Sequence, residues 1–123
     1  MQNYKKSKLF SNAPESILNV LASHNVTYNQ HHFCLTQEVL KQNKILSDWK
    51  ILSTNRDSNN LEFISSMESV SYPIYGVQFH PEKNQFEFKK SGIPHSIEAV
   101  YVSQYFANFF VNECRKIKIP FPV

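Results

Sequence analysis

Apolar residues recur along this chain with two different periods, which predicts helices near both ends and strands between them. Near the start, Asn12 precedes Glu15 by three residues and Pro14 lies in the first turn, a combination typical of a helix N-terminus. The apolar residues that follow have helical spacing: Ile17, Leu18 and Leu21. We therefore expect a short helix that begins at about residue 12.

The middle of the chain has the composition of strands and turns. Residues 49–53 and 61–66 are strand-like, and the polar residues 55–60 between them favour a turn, so we expect the two strands to pair as a hairpin. Residues 72–80 predict a third strand next to this hairpin, which Pro81 would end by removing a backbone donor. Residues 35–48 fit a strand edge, a turn or a helix, and that segment stays open.

A long helix is predicted near the C-terminus. Residues 84–95 read as a loop, Ser96 is a suitable helix cap, and the helix should continue to about Lys116, with Pro120 and Pro122 stopping it. One face of the helix is apolar: Ala99, Val102, Phe106, Phe109 and Phe110. This stripe could form a ligand groove, but helical spacing of apolar residues is more often core, and we expect core packing.

Composition excludes several classes of protein. The 123 residues, 41% apolar and including ten Phe and six Tyr, are enough for one small packed domain. The net charge of +3 is spread without a basic stripe, so we expect no nucleic-acid partner. No apolar run reaches the roughly twenty residues that cross a bilayer, and residues 1–10 lack the apolar region of a signal peptide. Two cysteines form neither a disulfide framework nor a zinc motif.

The strongest chemical signal lies where the third predicted strand stops. His80 and Glu82 are two positions apart, and on an extended backbone such residues project to the same side. The carboxylate could then orient the imidazole and stabilise its protonated form, which makes a general base. A single histidine beside an apolar strand is otherwise more often structural.

The segment from Gly76 to Glu82, Gly-Val-Gln-Phe-His-Pro-Glu, is similar to the catalytic histidine motif of the class I glutamine amidotransferase-like superfamily. Residues 61–68, 72–75, 92–96 and 109–116 resemble the γ-glutamyl hydrolase family more narrowly, and the resemblance runs from about residue 8 to residue 117. It implies an α/β fold, the C-terminal portion of a flavodoxin-like three-layer sandwich. Residues 1–123 would then form a single partial domain.

The same resemblance implies the chemistry. His80 would be the general base and acid, Glu82 its orienting partner, and His31 a contact to the substrate, a folate poly-γ-glutamate. No cofactor and no metal are implied, and His31 and His32 are not expected to form a metal pair. A homodimer is left open. The implied location is the lysosome, the vacuole or the outside of the cell.

The cysteine nucleophile of this family stands on a Gly-x-Cys-x-Gly turn, and the sequence contains none. Cys34 has no flanking glycine, and Cys114 falls near the end of the predicted helix, where the helix dipole disfavours a thiolate. We therefore expect the chain alone to be inactive. Two alternatives stay open: a glutaminase domain that passes ammonia to a synthase, and a non-catalytic remnant of such an enzyme.

Overall fold

The computed structural model describes residues 4–118, and a three-stranded sheet lies at its centre. Strand β1 (Trp49–Arg56) pairs antiparallel with β2 (Glu62–Ser69), which pairs antiparallel with β3 (Tyr75–Val77). The predicted hairpin is therefore confirmed, and both of its strands extend further along the chain than predicted. Mixed helix and strand around an open sheet make this an α/β structure, as expected from the sequence.

Local hydrogen bonds fix the turn of the hairpin. Asp57 Oδ1 accepts from the backbone N–H groups of Asn59, at 2.9 Å, and Leu61, at 2.8 Å. Asn60 has a φ of 65°, a left-handed conformation that asparagine tolerates better than most residues. The turn thus depends on the polar residues that predicted it.

The third strand is shorter than predicted, because only residues 75–77 of the expected 72–80 pair with β2. Before it, the N–H of Ser69 donates to the carbonyl of Ile74 and closes a turn that contains Pro73. After it, the N–H of Gln78 still donates to the carbonyl of Ser65 on β2. The next backbone donor of β2, the N–H of Ile64, bonds to the carbonyl of Leu35 and not to the segment after β3. Phe79 and His80 therefore lie outside the sheet, and the N–H of His80 donates to the carbonyl of Tyr28 instead.

Within residues 4–118, four α-helices accompany the sheet. Helix α1 (Glu15–Ser23) has Pro14 at its N-cap position and no side-chain cap, so it starts later than the predicted residue 12. The open segment 35–48 contains α2 (Gln37–Gln42), capped by Thr36, and a 3₁₀ turn at residues 46–48. The predicted loop 84–95 contains the short helix α3 (Lys83–Phe86), which the sequence pattern missed.

The prediction of a long helix capped by Ser96 and continuing to about Lys116 is confirmed, since α4 spans Ile97–Arg115. Ser96 Oγ accepts from the N–H of Ala99, which satisfies one of the free donors at the helix start. Pro120 and Pro122, expected to stop the helix, lie outside the described residues. Among residues 4–118, no helix is both long enough and apolar enough to cross a bilayer.

The main core forms where α1 and α4 pack together near the sheet. Its buried residues come from the N-terminal segment, both helices, the segment after α1, β1 and the segment after β3: Leu9, Phe10, Ile17, Leu18, Val26, Leu52, Phe79, Ala99, Val102 and Phe106. The core interpretation of the α4 stripe is thus confirmed for Ala99, Val102 and Phe106, and Phe109 packs against this cluster. It is wrong for Phe110, which is 67% exposed.

Both backbone polar groups of Leu9 are hydrogen-bonded to distant side chains. Its N–H donates to Glu68 Oε2 at 3.0 Å, and its carbonyl accepts from the hydroxyl of Tyr105. Glu68 is fully buried on β2, and its other oxygen lies 3.4 Å from Nζ of Lys50. A buried carboxylate is stabilised only if its oxygens have such partners, so Glu68 anchors the N-terminal segment on the sheet.

A second polar contact joins β3 to the end of α4. The hydroxyl of Tyr75 donates to Glu113 Oε2 at 2.9 Å, and Lys116 Nζ also donates to Glu113. Burial, together with the bond to Glu113, raises the pKa of Tyr75 to about 12. The bond from Lys116 contributes most to lowering the pKa of Glu113.

Replacing Glu68 with alanine tests the anchor. The buried N–H of Leu9 would lose its acceptor, so we expect the free energy of unfolding to fall by roughly 2–3 kcal/mol, measured by urea denaturation. The matched control is Glu62→Ala on the same strand, because Glu62 forms only an exposed ion pair with Arg56. That control should change the free energy by about 0.5 kcal/mol or less. Equal losses in the two variants would contradict the anchoring role.

The raised pKa of Tyr75 gives a second prediction. Because its folded-state value lies above the usual value of about 10, its contribution to stability is complete below pH 10 and is lost as pH rises towards about 12. An absorbance titration at alkaline pH should show a late-ionising phenol that Tyr75→Phe removes. The pKa of Tyr105 is also raised to about 12 by burial, so the double variant with Tyr105→Phe should remove two. An unchanged titration in Tyr75→Phe would refute the assignment.

Candidate active site

The position of His80 is set by its neighbours in the chain. Phe79 is buried, and its ring meets the ring of Phe106 edge-on with centroids 5.1 Å apart. The N–H of His80 donates to the carbonyl of Tyr28 at 2.9 Å, which ties the residue to the segment that follows α1. With the preceding side chain in the core and its backbone bonded, His80 presents a partly exposed imidazole at a fixed place.

Glu82 lies against this imidazole. Its Oε1 is 3.0 Å from His80 Nδ1, within hydrogen-bond distance. The predicted contact is therefore present, but the predicted extended geometry is wrong. Glu82 has helical backbone angles, φ −73° and ψ −17°, and the N–H of Lys83 donates to the carbonyl of His80. A turn over Pro81, rather than the end of a strand, brings the two side chains together.

Burial differs between the two members of the pair. The side chain of His80 is 30% exposed and that of Glu82 is 64% exposed. Water therefore screens the carboxylate, and its effect on the imidazole is more one of orientation than of strong charge stabilisation. Because Nδ1 faces Glu82, Nε2 is the ring nitrogen that a reacting group would meet.

The structure also brings His31 to this place. Its ring is stacked on the ring of His80, with centroids 4.6 Å apart and planes 14° from parallel. The two residues are 49 positions apart in the chain. The hydrogen bond from the N–H of His80 to the carbonyl of Tyr28 brings the segment that contains His31 next to His80. Any molecule that contacts Nε2 of His80 would therefore lie close to His31.

The remaining histidines and the cysteines do not join the pair. His24 ends α1 and contacts the hydroxyl of Ser23. His95 has Nδ1 2.8 Å from the carbonyl of Asn84, and its ring stacks on Phe88. Cys114 lies in the last turns of α4 and is exposed, and Cys34 is half-buried; both are free thiols. No group of three or more metal-ligating side chains occurs within residues 4–118.

Sequence reasoning missed the residue that fixes the loop after His80. Asn84 is buried, and its Nδ2 donates to the carbonyls of Val26, at 3.1 Å, and Pro94, at 2.8 Å. These bonds join α3 to the segment before Tyr28 and to the residues before α4. Both acceptors are backbone carbonyls distant in sequence, so no motif could have indicated them.

Comparisons with known proteins identify the family of the chain. A family model described as glutamine amidotransferase class-I matches residues 2–99. The chain is 48% identical to the γ-glutamyl hydrolase of Rattus norvegicus over 114 residues, which is 91% of the chain and 36% of the relative. It is 44% identical to that of Homo sapiens over 112 residues, 89% of the chain and 35% of the relative.

γ-Glutamyl hydrolase B of Dictyostelium discoideum is 42% identical over 113 residues, 90% of the chain and 33% of the relative. The chain thus spans about a third of the length of the curated relatives that it matches. The family model, in contrast, covers most of the chain and includes the His80–Glu82 pair. The protein therefore belongs to the class-I glutamine amidotransferase family, and within it is similar to γ-glutamyl hydrolases.

Proposed function

We propose that this chain supplies the general base of a γ-glutamyl hydrolase active site that cleaves folate poly-γ-glutamates. The observation that carries the proposal is the contact between His80 Nδ1 and Glu82 Oε1 at 3.0 Å. An imidazole whose Nδ1 is held by a carboxylate has a fixed tautomer and a free Nε2, which is the arrangement that activates a thiol or hydroxyl nucleophile.

The reaction would run in two stages. Nε2 of His80 takes the proton of a cysteine thiol, and the thiolate attacks the carbonyl of a γ-glutamyl bond. The protonated imidazole then gives that proton to the departing glutamate amine, which leaves a thioester. Water, deprotonated by the same imidazole, cleaves the thioester. General acid–base help of this kind accelerates such steps by roughly 10²–10⁴-fold.

The nucleophile in this proposal is a cysteine outside these 123 residues. Cys114 lies at the C-terminal end of α4, where the dipole raises the free energy of a thiolate, and Cys34 has no glycine on either side. The groove between β3 and the end of α4 encloses about 520 Å³ and exposes apolar residues such as Ile74, Phe110 and Ile117. It offers packing surface for the rest of a longer enzyme.

A glutaminase domain is the second candidate, and the matching family model favours it. The two functions differ in the ligand, since a glutaminase binds free glutamine whereas the hydrolase binds a chain of glutamyl units. The non-catalytic remnant draws its support from the missing Gly-x-Cys-x-Gly turn. Four other expectations stay predictions: that the chain is a partial domain, that it can form a homodimer, that it has no nucleic-acid partner, and that its location is lysosomal, vacuolar or extracellular.

A chimera tests the role of His80. The 123 residues would replace the matching 114 residues of the rat relative, and release of glutamate from a folate poly-γ-glutamate would be measured. We expect the chimera to be active and His80→Ala to lower kcat by about 10²–10⁴-fold, because the base is lost. Glu82→Gln should lower kcat by a smaller factor of about 10–100, since its exposed carboxylate mainly orients the ring.

His24→Ala is the matched histidine control and should leave turnover unchanged. Circular dichroism of each variant separates loss of chemistry from loss of fold, and the Dictyostelium relative provides a second background for the same replacement. Full turnover in His80→Ala would refute the role of His80. Folded but inactive chimeras in both backgrounds would favour the remnant.

The cysteines give a separate prediction in the same chimera. Because the nucleophile is proposed to lie in the part contributed by the relative, Cys34→Ala and Cys114→Ala should each keep turnover within about twofold of the parent chimera. Alkylation by iodoacetamide should still abolish the activity of both variants. Loss of turnover in Cys34→Ala alone would identify Cys34 as the nucleophile and contradict the proposal.

A further inference from the structure

A cavity of about 690 Å³ lies beside the His80 site, and its wall is unusually rich in carboxamide groups. It is enclosed by the segment between α1 and α2, the turn of the β1–β2 hairpin and the residue that follows β3. Six Asn or Gln side chains line it: Asn25, Asn29, Gln30, Asn55, Asn59 and Gln78. Its volume lies in the range of small-molecule sites, roughly 300–1,000 Å³.

The cavity lies next to the candidate active site, although His80 itself does not line it. His31 lines its wall and stacks on His80 at a centroid distance of 4.6 Å, and Gln78 lines it two positions before His80. A ligand that extends from Nε2 of His80 past His31 would therefore enter this cavity. The groove between β3 and α4 does not include His31 and, in contrast to the cavity, is lined mainly by apolar residues.

The lining indicates which chemical groups would fit. A carboxamide offers two donors and one acceptor oxygen, so a wall of carboxamides suits a ligand that carries both carboxylates and amide bonds. Arg56 adds a half-exposed guanidinium with five donors, of which one reaches the carbonyl of Asn60 at 2.9 Å. The one carboxylate in the wall, that of Asp57, accepts two backbone N–H groups of the hairpin turn.

We propose that this cavity binds the γ-glutamyl chain of the substrate, with Arg56 holding an α-carboxylate. The inference rests on the proposed function and deepens it. Each γ-linked unit carries one free α-carboxylate and one amide bond, which matches the donors and acceptors of the wall. An aromatic heterocycle would find few apolar contacts here, since the large apolar side chains in the lining are those of Phe33 and Phe63. The cavity thus selects the glutamyl end of the substrate.

In the free protein, Arg56 already has an ion-pair partner, Glu62, which would compete with a ligand carboxylate. Its Nη2 lies 3.5 Å from Glu62 Oε2, and both side chains are more than half exposed. An exposed ion pair of this kind is weak, so a ligand carboxylate that is also bound by carboxamides can displace it. This arrangement predicts opposite effects from its two members: removing the charge of Arg56 weakens binding, and removing that of Glu62 strengthens it.

Titration of the 123-residue chain with tri-γ-glutamate, followed by side-chain amide signals in NMR, tests the site. We expect the signals of Asn55 and Gln78 to shift, and the dissociation constant to be at least about tenfold smaller than that for glutarate. Arg56→Gln should weaken binding about tenfold, through loss of a charge-assisted hydrogen bond. Glu62→Gln should strengthen it a few-fold.

Two controls match these changes. Arg115→Gln replaces the other arginine of the chain, on α4, and should leave binding unchanged. Gln78→Glu places a like charge in the wall without altering shape and should weaken binding even if Arg56→Gln perturbs the hairpin, whereas Gln42→Glu on α2 should not. Absence of shifts in the cavity would overturn the proposal. Equal affinity for glutarate, tri-α-glutamate or free glutamine would also overturn it.

The chimera separates this proposal from the function on which it rests. If tri-γ-glutamate binds with the expected dependence on Arg56 and the chimera does not cleave its substrate, the site stands and the hydrolase function fails. If the chimera cleaves its substrate and Arg56→Gln leaves KM unchanged, the hydrolase function stands and this site is refuted. A KM that rises about tenfold in Arg56→Gln supports both.

Discussion

The candidate site depends on the burial of Phe79. This residue lies two positions after β3, inserts its ring against Phe106 of α4, and so fixes the place at which the next residue, His80, emerges. A buried aromatic ring resists displacement because its removal from the core would expose a large apolar area. The core therefore fixes the place at which the imidazole emerges, and the exposed carboxylate of Glu82 orients the ring there.

Most of the regular structure could be predicted because it depends on local chemistry. Ser96 caps α4 through its own hydroxyl, and the turn of the hairpin is made by Asp57 and Asn60, so short stretches of sequence contain the cause. The predictions failed where residues distant in sequence determine the local structure. The third strand stops at residue 77 because Leu35, more than forty positions earlier, occupies the neighbouring part of β2.

The candidate site shows the same division. The sequence indicated His80 and Glu82 as partners, yet their contact arises from a turn whose helical angles at Glu82 contradict the extended backbone assumed for them. The stacking of His31 on His80 joins residues 49 positions apart and follows from the bond between His80 and Tyr28, which no local pattern reports.

The anchor at Leu9 has a consequence for the order in which the structure assembles. The hairpin and the strand beside it form from contacts close in sequence, whereas Leu9 meets Glu68 across 59 positions and Tyr105 across 96. Closing such long loops costs more chain entropy than closing a hairpin, so these contacts form slowly relative to local ones. We therefore expect the N-terminal segment to dock on the sheet after the hairpin has formed, so that its contacts do not contribute to the folding nucleus.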